Sequence, residues 1–169
     1  MLLIIRHLVD WILEHKIVEL SFGKGIHTEI VRRAIDMVKY LAFYSHLEKS
    51  HLDLIWESMQ GKHESIKHAI QQAISDLSNV LSYEDLDYLF EKIFKVEYSE
   101  YDNQMLIMVR QCTIDVVRHV MMHNNVSREY YIYVIMLYRV NIRDGMDLKY
   151  CGIYYKIKQY VILKYLLDL

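Results

Sequence analysis

Two stretches of this chain place apolar side chains at a spacing that gathers them on one side of an α-helix and scatters them along a strand. From Thr28 to about Ser45 the stripe is Ile30, Val31, Ala34, Ile35, Val38, Leu41 and Ala42. Glu29, Arg32, Arg33, Asp36 and Lys39 cover the other side, as the solvent face of a half-buried helix requires. The second stripe is Ile66, Ala69, Ile70, Ala73, Ile74, Leu77 and Leu81. Little in the chain interrupts such helices. It has no proline, where average usage would place roughly eight, and only five glycines. Both residues break helices, one by removing a donor and the other by its backbone entropy.

Between the two stripes lies a shorter helix, Ser50 to His63. Its start is read at Ser50, whose hydroxyl suits a free N–H of the first turn, with Asp53 as the reciprocal acceptor. Leu52, Ile55, Trp56 and Met59 make its apolar face, and the large area of Trp56 assigns it to the core. Gly61 ends the segment, because glycine tolerates the left-handed turn that stops a helix.

The same signals extend in both directions. Residues 2–15 suit a helix, and Ile17 to Phe22 is either its last turn or a separate short one. Gly23 and Gly25 bracket Lys24 in a turn. That turn is not a phosphate loop, since no strand leads into it and the glycine count is too low. Ser82 with Asp85 opens a helix to about Lys95 that buries Leu86, Leu89, Phe90 and Ile93. Ser99 with Asp102 opens a long one to about His123, striped by Met105, Leu106, Val109, Cys112, Val116, Val117 and Val120. Asn124 and Asn125 end it, and Ser127 caps a further helix to about Val140.

Leu52-Asp53-Leu54-Ile55-Trp56-Glu57 echoes Leu86-Asp87-Tyr88-Leu89-Phe90-Glu91 at a shift of 34 residues. A period near 34, helices throughout and short turns describe stacked helix hairpins, each burying its face against the next. The expected fold is therefore all-α, an armadillo/HEAT-like stack of antiparallel helix pairs forming part of an α-solenoid. An irregular helical bundle is the alternative.

At 169 residues the chain suits one domain. Residues 1–141 read as the helical-repeat scaffold and 142–169 as a tyrosine-rich amphipathic tail, either an atypical or truncated end or a capping segment. Nine of the 15 tyrosines fall at or after Tyr130. The run Tyr130 to Tyr138 is apolar on nearly every side, and Ile153 to Leu169 sets Lys156, Lys158 and Lys164 on a wetter face. The net charge of −2 argues against nucleic acid, whose phosphates need a basic surface. Cys112 and Cys151 form no close pair and read as free thiols of a reducing compartment. The apolar start is broken by Arg6, His7 and Asp10, too short and too charged to span a membrane, and no cleavage site follows. The expected location is the cytoplasm.

Candidate chemistry is sparse. His119 and His123 share a helical face at a real bis-histidine spacing, but no third ligand is implied. His63-Glu64 with His68 has one residue too many for a zinc-protease motif: five residues turn the helix by about 500°, so the rings diverge. Cys112 sits on the apolar stripe, two turns from His119, too far for proton transfer. The acidic runs Glu84-Asp85-Asp87 and Glu97-Glu100-Asp102 lie at helix starts, where they oppose the helix dipole. No catalytic residue, metal ligand or cofactor site is assigned.

One resemblance stands beside this. Val9-Asp10-Trp11-Ile12-Leu13-Glu14, Ile17-Val18-Glu19, Phe22-Gly23, His51-Leu52-Asp53 with Ile55-Trp56, and Lys62-His63 occur in an order and spacing similar to a segment of the very large, fat-facets-like ubiquitin-specific proteases. Asp85 to Phe90 resembles a later run of the same family. The segment is their long helical region N-terminal to the catalytic domain, and the likeness covers about residues 9–95. It implies an armadillo/HEAT-like scaffold that positions partners or substrates in the ubiquitin pathway, with Trp11, Phe22, Gly23, His51, Asp53, Ile55, Trp56, Lys62 and His63 as structural signature positions. It implies no catalysis here, since nothing matches that family's cysteine and histidine boxes. The expected function is protein–protein contact. The alternative is a free-standing helical adaptor whose tail docks a partner or a membrane surface.

Overall fold

A computed structural model describes residues 2–23, 25–97 and 100–124. The expectations placed on 130–138, 153–169, Ser99, Ser127 and Cys151, and the boundary at 141/142, lie outside the described residues. Within them the chain forms seven α-helices: α1 Leu2–Glu14, α2 Ile17–Phe22, α3 Thr28–Phe43, α4 Lys49–Glu57, α5 Glu64–Leu77, α6 Tyr83–Ile93 and α7 Asn103–Asn124.

Helix α2 is separate from α1 because Lys16 turns the chain into the left-handed region, with φ 50°. The Phe22-Gly23 pair follows from close packing: a Cβ on Gly23 would sit 2.6 Å from the Glu19 carbonyl oxygen. Helix α3 stops two residues short of Ser45, which adopts φ 60°. There the His46 N–H donates to the Leu41 carbonyl at 2.8 Å, closing the last turn.

The start of α4 differs from the expectation. The capping residue is Glu48, and His51 reaches back so that its Nδ1 accepts from the Glu48 N–H at 3.1 Å. Ser50 lies inside the first turn and donates its hydroxyl to the Glu48 carboxylate at 3.1 Å. A Glu with a histidine three residues on does here what serine with an acid usually does. Histidine recurs in this work, since His27 caps α3 and His63 caps α5, each accepting a backbone N–H at Nδ1. Gly61, at φ +64°, ends the turn that follows α4. At α6 the expected Ser82 cap is present, with its hydroxyl accepting from the Asp85 N–H at 3.1 Å. At α7 the cap is Asp102, whose Oδ1 accepts from the Met105 N–H at 2.7 Å.

The helices lie in two layers. α3 packs on α5 and α5 on α7; α2 packs on α4 and α4 on α6; α2 on α3 and α6 on α7 close the layers onto each other. Five side-chain hydrogen bonds that join helices two apart span between 32 and 37 residues: Lys67–Asp102, Gln71–Met105, Gln72–Gln104, Ser78–Asp115 and Tyr88–Asp53. A near-constant register of this size is what stacked hairpins produce. It matches the 34-residue echo and departs from an irregular bundle.

The core between the layers holds Val31, Val38, Leu41, Ile55, Trp56, Ile70, Ile74, Leu86, Phe90, Met108 and Cys112, all buried. Two stripe positions depart from expectation: Ile30 and Leu106 are exposed, each at the margin of its apolar face. The α5 stripe also breaks at a 3₁₀ turn, Ser78–Val80, after which Leu81 packs in extended conformation.

Candidate interaction surface

Helix α4 brings four of the signature positions together. Leu52, Ile55 and Trp56 point into the core, buried like His51, which closes the cap. Asp53 leaves the opposite side and reaches α6. There it accepts from the Tyr88 hydroxyl at 2.6 Å and pairs with Lys92. The Tyr88 ring is flanked by two ammonium groups, Lys49 at 4.9 Å and Lys92 at 5.1 Å from its centroid. The hydrogen bond to Lys92, then that to Tyr88, holds the Asp53 carboxyl below its ordinary value. The bond to Asp53 raises the Tyr88 phenol. On Lys92 burial acts to lower the ammonium, and the Asp53 carboxylate outweighs it.

A second joint lies between α5 and α7. Lys67 donates to Asp102 Oδ2 at 2.9 Å, and His68 Nε2 faces Asp102 at 3.5 Å and Glu64 at 3.7 Å. A third centres on a carboxylate that is itself fully buried. Asp115 accepts from the Ser78 hydroxyl at 2.7 Å and from Gln111 at 3.0 Å, and pairs with Arg118. A buried carboxylate is retained only where such donors satisfy it, and here they fasten the 3₁₀ turn to α7.

The remaining signature positions are dispersed. Phe22 is buried, whereas Trp11 is 48% exposed and stacks on His15 with centroids 5.0 Å apart. Lys62 is exposed and His63 caps α5. Tyr88, Lys92, Asp115 and Ser78 escaped sequence reasoning. The echo was the available signal for Tyr88, because it aligns Asp53 with Asp87, the neighbour of Tyr88; Lys92 lies just beyond it. Nothing in spacing marks Asp115 as buried.

Across the outer side of the α3–α5–α7 layer runs an open cleft of about 240 Å³, lined by Lys39, Gln72, Ser75, Asp76, Asn79, Ile107 and Gln111. It mixes carboxamides, one cation, one anion and an exposed isoleucine, a composition suited to a polypeptide surface. Cys112 is fully buried, and burial pushes its thiol up to about 12, far from the thiolate that catalysis or metal binding needs. Among the described residues no group of three or more histidine, cysteine, aspartate or glutamate side chains is placed to hold a metal ion. Nor is any helix among them long and apolar enough to cross a membrane.

Two layers of helices repeating at about 34 residues, with polar joints between successive repeats, define an armadillo-type helical stack. The sequence matches the family described as the UBP24/USP9X/USP9Y ARM repeat over residues 2–127, and the chain belongs to that family. Similar proteins include ubiquitin carboxyl-terminal hydrolase 34 of Homo sapiens, 30% identical over 105 residues, which are 62% of this chain and 3% of that protein. Its Mus musculus counterpart is 35% identical over 60 residues, or 36% of this chain and 2% of its own length. Ubiquitin carboxyl-terminal hydrolase puf of Drosophila melanogaster is 25% identical over 108 residues, 64% of this chain and 3% of its own. The chain thus spans about 3% of the length of these relatives. No solved structure gives a significant match.

Proposed function

We propose that the chain is a non-catalytic helical scaffold that works by protein–protein contact in the ubiquitin pathway, within the cytoplasm. The observation that carries this is the family match over residues 2–127, in a chain whose relatives are named as ubiquitin carboxyl-terminal hydrolases. The α3–α5–α7 cleft is the surface assigned to the contact, with Ile107 and the carboxamides of Gln72, Asn79 and Gln111 as its recognition groups.

Proximity labelling with the chain as bait tests this, compared with a variant carrying Asn79→Arg and Ile107→Asp. Both residues are exposed, so the variant keeps the fold. Ubiquitin-pathway proteins enriched by the parent and lost with the variant support the proposal; equal labelling by both overturns it. An immunoblot against residues 50–63 reads the natural context. A band far above 20.4 kDa makes the scaffold part of a large hydrolase, and a band at that mass favours the free-standing adaptor.

A further inference from the structure

Two carboxylates decide which way the carboxamides around the α3–α5–α7 cleft point. An ionised carboxylate only accepts, so a carboxamide that faces it must present its N–H. Asp76 Oδ1 accepts from Gln72 Nε2 at 2.9 Å. The Gln72 oxygen therefore points the other way, where it accepts from Gln104 Nε2 at 3.0 Å. On α7, Asp115 Oδ2 accepts from Gln111 Nε2 at 3.0 Å, which leaves the Gln111 oxygen over. Ser75 behaves alike, because its hydroxyl donates to the Gln71 carbonyl at 3.0 Å and keeps only lone pairs for the cleft. The cleft is turned to accept hydrogen bonds rather than to give them.

The charge runs the same way. Asp76 sits in the last turn of α5, a turn without a basic residue. The partial negative charge at a helix C-terminus makes this a poor place for a carboxylate and a good one for a cation. Yet Asp76 is in none of the ion pairs among the described residues. Lys39 lines the cleft but faces Asp36 on its own helix, with Nζ 3.7 Å from Oδ1. With Asp36 counted, two carboxylates stand against one ammonium. Beside them Ile107 is 49% exposed and offers an apolar wall.

We infer that the cleft takes an arginine side chain of a partner polypeptide, with the guanidinium on Asp76 and the Gln111 oxygen and the aliphatic stem along Ile107. This rests on the scaffold reading above and names what that surface reads. A guanidinium is planar and carries five N–H donors and no acceptor, so it serves a carboxylate and a carboxamide oxygen together. A lysine ammonium is a compact point charge with fewer donors. An acidic segment meets only acceptors here and is repelled by Asp76. The volume of about 240 Å³ falls below the roughly 300–1,000 Å³ of a small-molecule pocket and suits one long side chain.

NMR titration of the whole 169-residue chain with three blocked tripeptides tests it. Their central residue is arginine, lysine or citrulline, the last keeping the shape of arginine without its charge. The arginine peptide should shift the Gln72 and Gln111 side-chain amides and the Ile107 methyls saturably. It should bind at least about tenfold tighter than the citrulline peptide and tighter than the lysine peptide. Asp76→Asn still accepts from Gln72, and it should weaken arginine binding by about tenfold. Lys39→Met removes the competing ammonium and should strengthen binding, a change that loss of fold cannot produce. No saturable shift, equal binding of arginine and citrulline, or indifference to Asp76→Asn overturns the inference. Lysine bound as tightly as arginine overturns the assignment to a guanidinium. Proximity labelling with Asp76→Asn separates this inference from the scaffold reading. Partners kept by Asp76→Asn but lost with Asn79→Arg and Ile107→Asp leave the scaffold contact standing and remove the arginine from it.

Discussion

Trp56 and Trp11 are the two tryptophans of the chain, and the fold treats them oppositely. Trp56 is 7% exposed between the layers, whereas Trp11 is 48% exposed on the outer side of α1. Truncating a buried aromatic removes its transfer energy and leaves a cavity, so Trp56→Ala should destabilise the fold by about 3–5 kcal/mol. Trp11→Ala should change stability by no more than about 0.5 kcal/mol. Urea melts of the two variants check both figures. Comparable losses would show that α1 is buried more deeply than its solvent-facing side implies. The sequence treated both tryptophans as structural positions. Apolar spacing placed Trp56 correctly because α4 has a single apolar face. On α1, where two apolar stripes share one short helix, spacing could not say which one the fold would use.

At the scale of the element, what holds successive hairpins in register is polar. Asp102 shows how. Burial alone would raise its carboxyl, yet the hydrogen bonds from Lys67 and from the Met105 N–H outweigh burial and keep the group below its ordinary value. A carboxyl depressed in the folded state contributes stability that is fully present above its unfolded value, about 3.9. That contribution is lost as pH falls through the lower folded value. Asp53, held down by Lys92 and Tyr88, adds a loss of the same sign in the same acid range. Both carboxylates are partly open to water, which mutes the effect. Melts at stepped pH from about 5 to about 2 should show the parent losing stability faster than Asp102→Asn; parallel curves would remove Asp102 from the joint. The helices themselves were largely legible, because caps and stripes are local. The shift from Ser50 to Glu48 at the start of α4 arose where two nearby polar residues competed for one helix start. The joints were not legible, because a pair such as Asp53 and Tyr88 is made by the stacking and has no local signature.

For the molecule as a whole, a constant register makes contact a matter of neighbours. α2 touches α3 and α4, and α7 touches α5 and α6, with the central hairpin between them. Energy in such a stack is approximately a sum over repeats and their interfaces. Substitutions at opposite ends should then be independent, while substitutions across one joint should couple. Val18 on α2 and Val116 on α7 are both buried. Each valine-to-alanine change should cost about 1–2 kcal/mol, and the pair should add to within about 0.5 kcal/mol. Asp53→Ala with Tyr88→Phe, which removes both ends of a single hydrogen bond, should instead depart from additivity by about 0.5 kcal/mol or more. Double-mutant cycles on the full chain, read by urea unfolding, separate the cases. Strong coupling between Val18 and Val116 would mean that the layers behave as one bundle core. A surface spread across α3, α5 and α7 would then respond as a rigid whole to any partner. Additivity would leave each hairpin free to adjust separately, which is how a stacked scaffold fits an extended partner along its length.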